Sequence, residues 1–363
     1  MSKVLFLVNH DVVIYNFRLE VVERLLADGH QVVISSPYGE RIEDLKKLGC
    51  EYYDISISRH GMNPLKEFSL VQEYKRLIKK VRPNIVLSYT IKPNIYGAMA
   101  CKATKTPCIA NITGLGTAVE NGGIVQFLLV ALYKYAFSEI NKVFFQNTEN
   151  MKFFVEKRIA VGKHELLPGS GVNLQHFAPM AYPLSDKTEF AFISRIMKEK
   201  GVDQYLDAAQ CIKERHPNTV FHVCGFCEQA YEDILKELTE KGIIMYHGMV
   251  RDIKTILERT HCIVHPTYYP EGLSNVLLES CASARPIITT NRAGCREVID
   301  DGKNGFVCKP RDSADLIWKI EMFLSLDVET RRKMGEYGRK KVEREFDRNI
   351  VVEKYLHEVR KYG

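Results

Sequence analysis

The chain has 363 residues, 45% hydrophobic and 26% charged, with a formal net charge of +6. That length favours two domains, each able to bury its own core, and the balance excludes a disordered or fibrous chain. Ten cysteines are scattered, mostly in apolar runs, a pattern that points to reduced thiols in a cytoplasmic protein rather than a disulfide scaffold.

The first nine residues are too short an apolar run, and too soon followed by Asp11, for a signal peptide. The longest apolar stretch, 124–137, falls short of the ~20 residues that span a bilayer. Residues 1–170 hold 22 Lys+Arg against 16 Asp+Glu, so the basic excess lies in the first half. Solvated helix faces explain such clusters plainly. The sharper reading is attraction to an anionic surface, such as the inner face of a membrane, which allows a peripheral location; nucleic acid is not an expected partner.

In chain order, apolar strands alternate with capped helices. Strands are predicted at 4–8, 31–35 and 85–88, and helices at 17–28, 42–48 and 68–81. The second half repeats the scheme. Its predicted strands are 189–193, 220–224, 244–247, 262–265 and 286–289, and its helices are 202–215, 230–241, 253–259, 275–284 and 314–325. A last helix is predicted at 350–361. The alternation indicates α/β domains with parallel sheets covered on both faces. The expected division is a first domain over 1–177, a linker over 178–188, a second domain over 189–346, and a tail over 347–363 that could cross back to the first. An apolar helix around Phe127, Leu128, Val130, Ala131, Leu132 and Tyr135 is expected to pack in the core, with a membrane interface as the other option.

Residues 7–18 contain no glycine, which argues against dinucleotide binding. The most informative segment is Glu271-Gly-Leu-Ser-Asn-Val-Leu-Leu-Glu279. Two carboxylates flank a glycine and a helix start, whose unpaired N–H groups favour phosphate. Carboxylates beside such an anion site suit sugar hydroxyls. Arg195 and Lys200, in Ser194-Arg195-Ile-Met-Lys-Glu-Lys200-Gly201, suit the charge that grows on a departing diphosphate. No Asp-x-Asp motif is present, and no metal or other cofactor is expected. Cys224-Gly-Phe-Cys227 is a single pair and reads as coincidence.

These two elements, with Pro168-Gly-Ser-Gly171-Val-Asn173 and Gly302-Lys-Asn-Gly305-Phe, resemble the retaining glycosyltransferases of family 4 over roughly residues 166–310. The resemblance implies the GT-B fold, two facing Rossmann-like doubly wound domains with a cleft between them. It implies Arg195 and Lys200 on the donor diphosphate and Glu271 on the transferred sugar, as the catalytic set. Gly272, Leu273, Ser274, Asn275 and Val276 would form the diphosphate site, and Glu279 would reach back to the ribose. Gly225, Phe226, Gly248, Val250 and Arg251 would hold the base, with UDP the commonest carrier.

The first half resembles a subgroup acting on lipid-linked sugars in capsule and O-antigen assembly, through 14–18, Ser58-Arg59, Asn63-Pro64, 90–94 and 111–116. Arg18, Lys92, Asn94, Thr113 and Gly114 are the acceptor-side candidates it implies. Thr113 stands where many members carry a histidine and cannot serve as a base. The expected function is transfer of a hexose or N-acetylhexosamine from a nucleotide sugar, UDP-linked by family frequency, to a polyprenyl-diphosphate-linked acceptor. The alternatives are an epimerase of the same fold acting on UDP-N-acetylglucosamine and a non-catalytic nucleotide-sugar-binding protein.

Overall fold

The computed structural model describes residues 1–57, 64–116, 119 and 122–363. The chain divides into two compact units, Met1–Ser170 with Asn349–Gly363, and Gly171–Arg348. The division therefore falls at 170/171 rather than after 177. Residues 178–188 do not form a free linker: Phe177 and Tyr182 are buried, and Arg285 donates to the Met180 and Ala181 carbonyls within the second unit.

Among its described residues the first unit has seven parallel strands, β1 (Lys3–Leu7), β2 (Gln31–Ser36), β3 (Glu51–Asp54), β4 (Ile85–Tyr89), β5 (Cys108–Ile112), β6 (Lys142–Phe145) and β7 (His164–Leu166). They lie in the order β3-β2-β1-β4-β5-β6-β7. The central strands are apolar on both faces, as a sheet covered by helices on two sides requires. One face packs helices Pro64–Val81, Ala98–Thr104 and Gly123–Ala136 through Leu70, Tyr74, Cys101, Leu129 and Tyr133. The other packs helix Leu19–Ala27 and the last helix, Arg348–Arg360, whose Val351, Tyr355 and Val359 join the same cluster as Phe6 and Leu87. The predicted helix 17–28 is two helices, Val12–Phe17 and Leu19–Ala27, broken at Arg18 where φ is −139°.

The second unit has six parallel strands: β8 (Thr188–Ile193), β9 (Thr219–Cys224), β10 (Met245–Tyr246), β11 (Cys262–His265), β12 (Ile287–Thr290) and β13 (Gly305–Cys308). Their order is β10-β9-β8-β11-β12-β13. Both units are thus doubly wound with the 3-2-1-4-5-6 pattern, and the chain reverses direction across the sheet between β8 and β11. Helix Val328–Glu345, capped by the Asp327 carboxylate accepting from Thr330 N at 2.7 Å, was absent from the predicted elements. All ten cysteines are free. No helix among the described residues is long and apolar enough to cross a membrane.

The core expectation for the helix around Phe127 is corrected. Leu129, Tyr133 and Ala136 are buried, but Phe127, Leu128, Ala131 and Tyr135 face outward. The helix is apolar around its whole circumference and only one side meets the sheet.

Candidate active site

Ligands of doubly wound sheets bind beyond the carboxyl ends of the strands, at the point where strand order reverses. In the second unit, the segments after β8, β9, β10 and β11 meet there. Arg195 and Lys200 follow β8, Gly225 and Phe226 follow β9, Gly248 and Val250 follow β10, and Glu271 follows β11.

Lys200 ends a short turn, Lys198–Lys200, that is latched to the loop after β11. Tyr268 N donates to the Glu199 carbonyl at 2.9 Å, and Thr267 Oγ1 donates to it at 3.3 Å. Gly201 makes this approach possible: it has φ of +79°, and a Cβ there would lie 2.3 Å from the Pro266 carbonyl oxygen. The latch delivers the Lys200 ammonium, 8% exposed, onto the Glu271 carboxylate, with which it forms an ion pair. The Tyr269 ring completes this corner, 4.8 Å from Lys200 Nζ and 5.4 Å from Arg195 Cζ. Arg195 itself is half-exposed and pairs with Glu228 at 2.5 Å.

The helix Asn275–Ala282 starts beside these groups. Its N-cap, Ser274, makes no side-chain cap, and Ser274 N donates to the Gly294 carbonyl at 2.8 Å. The N–H groups of the helix's first turn therefore have no partner along the helix itself and point toward the carboxyl end of the sheet. Gly272, Leu273 and Ser274 are buried, while Asn275 and Val276 are partly exposed. One turn further on, Glu279 lies at the wall of a cavity of about 230 Å3, shared with Arg195, Gly225, Phe226 and Val250. Desolvation pushes the Glu279 carboxyl up to about 7, with Arg348 acting in the opposite direction. Gly225 closes the floor: its φ is +145°, and a Cβ would fall 1.7 Å from the Ser194 carbonyl oxygen. Gly225 N donates to the Gly248 carbonyl at 2.8 Å, tying the two loops together. Arg251 is exposed and lies outside the residues lining this cavity.

Several members of this constellation went unread in the sequence. Tyr269 adjoins the Glu271 motif, and its aromatic neighbourhood was the available signal. Glu228 and Arg348 carry no local signal, since their partners are distant in the chain. His265, at the end of β11, is fully buried with neither ring nitrogen hydrogen-bonded. Desolvation, and then the nearby Lys200 charge, hold its imidazole well below its ordinary value, so it is neutral. Among the described residues, no group of three His, Cys, Asp or Glu side chains is placed to hold a metal ion.

The first unit treats its candidates differently. Arg18 is 1% exposed, and its guanidinium lies 5.3 Å from the Tyr89 ring and 5.5 Å from the Tyr355 ring. It also donates to Tyr355 Oη at 3.3 Å. Asn94 is equally buried, accepting from Ser88 Oγ at 2.8 Å and donating to the Asn111 carbonyl at 2.9 Å. Both are structural, which corrects their assignment to an acceptor: their polar groups are consumed by the core. Lys92 pairs with Glu67 at the wall of a separate cavity of about 290 Å3. Thr113 and Gly114 follow β5 and are partly exposed. Ser58, Arg59 and Asn63 lie outside the described residues.

Two doubly wound parallel sheets in one chain, the second carrying cations and carboxylates around a helix start at its switch point, define a GT-B glycosyltransferase. A family model described as Glycosyl transferases group 1 matches residues 181–341, and one described as Glycosyl transferase 4-like matches residues 3–147. The chain thus carries a glycosyl transferase 4-like domain followed by a glycosyl transferases group 1 domain. It is 26% identical, over 94% of both chains, to N,N'-diacetylbacillosaminyl-diphospho-undecaprenol alpha-1,3-N-acetylgalactosaminyltransferase of Campylobacter jejuni. It is also 26% identical to the capsular polysaccharide biosynthesis glycosyltransferase CapM of Staphylococcus aureus, over 83% of this chain and 84% of that one. Among solved structures, Anabaena HepE in complex with UDP and glucose superposes with a TM-score of 0.80 at 17% identity, covering 99% of this chain and 100% of that one. That likeness establishes the fold.

Proposed function

We propose that this glycosyltransferase moves a hexose or N-acetylhexosamine, with retention of anomeric configuration, from a UDP-sugar to a hydroxyl of a polyprenyl-diphosphate-linked sugar. The observation that carries the donor half is the convergence of Arg195, Lys200, Glu271 and Glu279 on the start of helix Asn275–Ala282. Relatives named for a diphospho-undecaprenol acceptor and for capsule synthesis support the acceptor half.

In this reading the diphosphate seats on the first-turn N–H groups between Arg195 and Lys200. As the bond from the sugar carbon to the phosphate oxygen breaks, charge grows on the diphosphate. The two cations and the helix dipole meet it without a metal ion. Glu271 exchanges its ion pair with Lys200 for hydroxyls of the transferred sugar, while Lys200 turns to the phosphate. Glu279 receives the ribose hydroxyls, and the loops at Gly225 and Gly248 hold the base. The acceptor hydroxyl attacks from the side the diphosphate leaves, and the departing phosphate oxygen takes its proton. No side-chain base is required, consistent with a threonine at 113. Lys92, Thr113 and Gly114 remain the acceptor-side candidates.

The test is slow UDP release from a panel of UDP-sugars without acceptor, followed by transfer to a synthetic lipid-diphosphate sugar. NMR of the product is expected to show the donor's anomeric configuration. UDP release unchanged in both Lys200→Ala and Glu271→Ala would refute the assignment. A new sugar still attached to UDP would identify an epimerase instead.

A further inference from the structure

Helix Gly123–Ala136 buries Leu129, Tyr133 and Ala136 against the first unit's core. Its other side leaves Ile124, Phe127, Leu128 and Tyr135 exposed by 79, 73, 50 and 61%, with Ala131 exposed among them. The spacing i, i+3, i+4, i+7, i+11 places all five on one stripe. The helix contains no Asp or Glu, and Lys134 is its only charge. Leu65 and Phe68, 81 and 64% exposed, begin the helix Pro64–Val81 on the same face of the sheet. Each helix follows a parallel strand, so both start at the carboxyl edge of that sheet. A contiguous apolar stripe of this kind on a water-soluble surface marks a contact site.

Charge identifies the partner. Residues 64–139 hold ten Lys+Arg against four Asp+Glu, so this stretch alone carries a surplus equal to that of the whole chain. Lys102 Nζ stands 4.7 Å over the Tyr135 ring at the border of the stripe, 3.7 Å from the exposed Glu139 carboxylate, and Lys134 is exposed beside it. A second copy of this surface would bring like charges together, whereas anionic headgroups neutralise them. We propose that helix Gly123–Ala136, flanked by Lys102 and Lys134, docks this protein on an anionic phospholipid bilayer. The stripe enters the boundary between headgroups and acyl chains while the lysines meet the headgroups. This deepens the lipid-linked-acceptor reading and rests on it, because docking would bring the enzyme to such an acceptor.

The experiment is co-sedimentation of the full chain with vesicles of phosphatidylglycerol and phosphatidylcholine, or of phosphatidylcholine alone. Wild type is expected to bind the anionic vesicles at least tenfold more tightly. The double variant Phe127→Glu, Leu128→Glu is expected to lose at least tenfold of that affinity, and Lys102→Gln with Lys134→Gln about fivefold per lysine. Thermal denaturation and UDP release without acceptor should stay at wild-type levels in both, which separates docking from folding and chemistry. Equal binding by the glutamate variant, or equal binding to both vesicle types, would overturn the proposal. So would a wild-type dimer in analytical ultracentrifugation that the same substitutions dissociate. Vesicle binding without any UDP release would leave the docking face standing and remove the proposed function.

Discussion

Polar candidates in the two units meet opposite fates. In the second unit, Arg195, Lys200 and Glu271 stand on loops beyond the strand ends, paired with one another or with Glu228 across a partly open site. In the first unit, Arg18 and Asn94 are sealed inside, with rings or backbone as partners. A residue type is informative when a motif ties it to a ligand-sized anion site. The same residue type alone is as readily a core contact.

The comparison can be broken most forcefully at Lys200. Lys200→Ala is expected to lower turnover of the UDP-sugar by roughly 10²–10³-fold, the scale of losing one preorganised charge-stabilising donor. Lys200→Arg should recover only part of that, because a planar guanidinium cannot occupy the space beside Glu271 as a point charge does. Steady-state kinetics with and without acceptor would measure both.

Arg18→Ala should do the reverse. It empties a site packed between two tyrosines, at a cost of about 3 kcal/mol of stability. The KM for the lipid-diphosphate acceptor in the remaining folded protein should be unchanged. Chemical denaturation alongside acceptor kinetics tests this, and an acceptor defect at normal stability would restore Arg18 as a ligand-binding residue.

Why one half was legible and the other was not follows from chain distance. The motifs of the second unit are local: Arg195 with Lys200, and Glu271 with Glu279, each lie within one stretch. The alternation of strands and helices was equally local. Arg18 is settled by Tyr355, 337 residues onward in a helix whose destination no local pattern states. Asn94 is settled by Ser88 and by Asn111 on the next strand. Helix Val328–Glu345 escaped because it has no continuous apolar run, and the outward side of helix Gly123–Ala136 misled because apolar residues ordinarily pack inward.

A smaller effect concerns acid. His261 is buried, and desolvation first, with Arg331 and Arg285 adding, holds its imidazole to about 4 against the opposing pull of Glu189. The unfolded imidazole protonates near pH 6.5, so between that pH and about 4 the unfolded chain binds more protons. Stability is therefore full above pH 6.5 and falls as pH is lowered, by about 2 kcal/mol at pH 5 from this group. His261→Gln should flatten that part of the pH–stability curve.

The smallest expected effect lies at Glu279, whose carboxyl titrates near pH 7. Ribose hydroxyls donate to the ionised form, so uridine affinity should rise as pH increases through about 7, by up to about tenfold. Glu279→Gln should abolish the rise. A pH-independent affinity in wild type would place the ribose elsewhere.

The most direct test of the donor site is the ratio of UDP to uridine affinity, measured by calorimetry. The diphosphate should make UDP bind at least a hundredfold more tightly than uridine in wild type, and the ratio should collapse toward one in Arg195→Ala, Lys200→Ala. An undiminished ratio in that double variant would contradict the assignment of these two cations to the diphosphate.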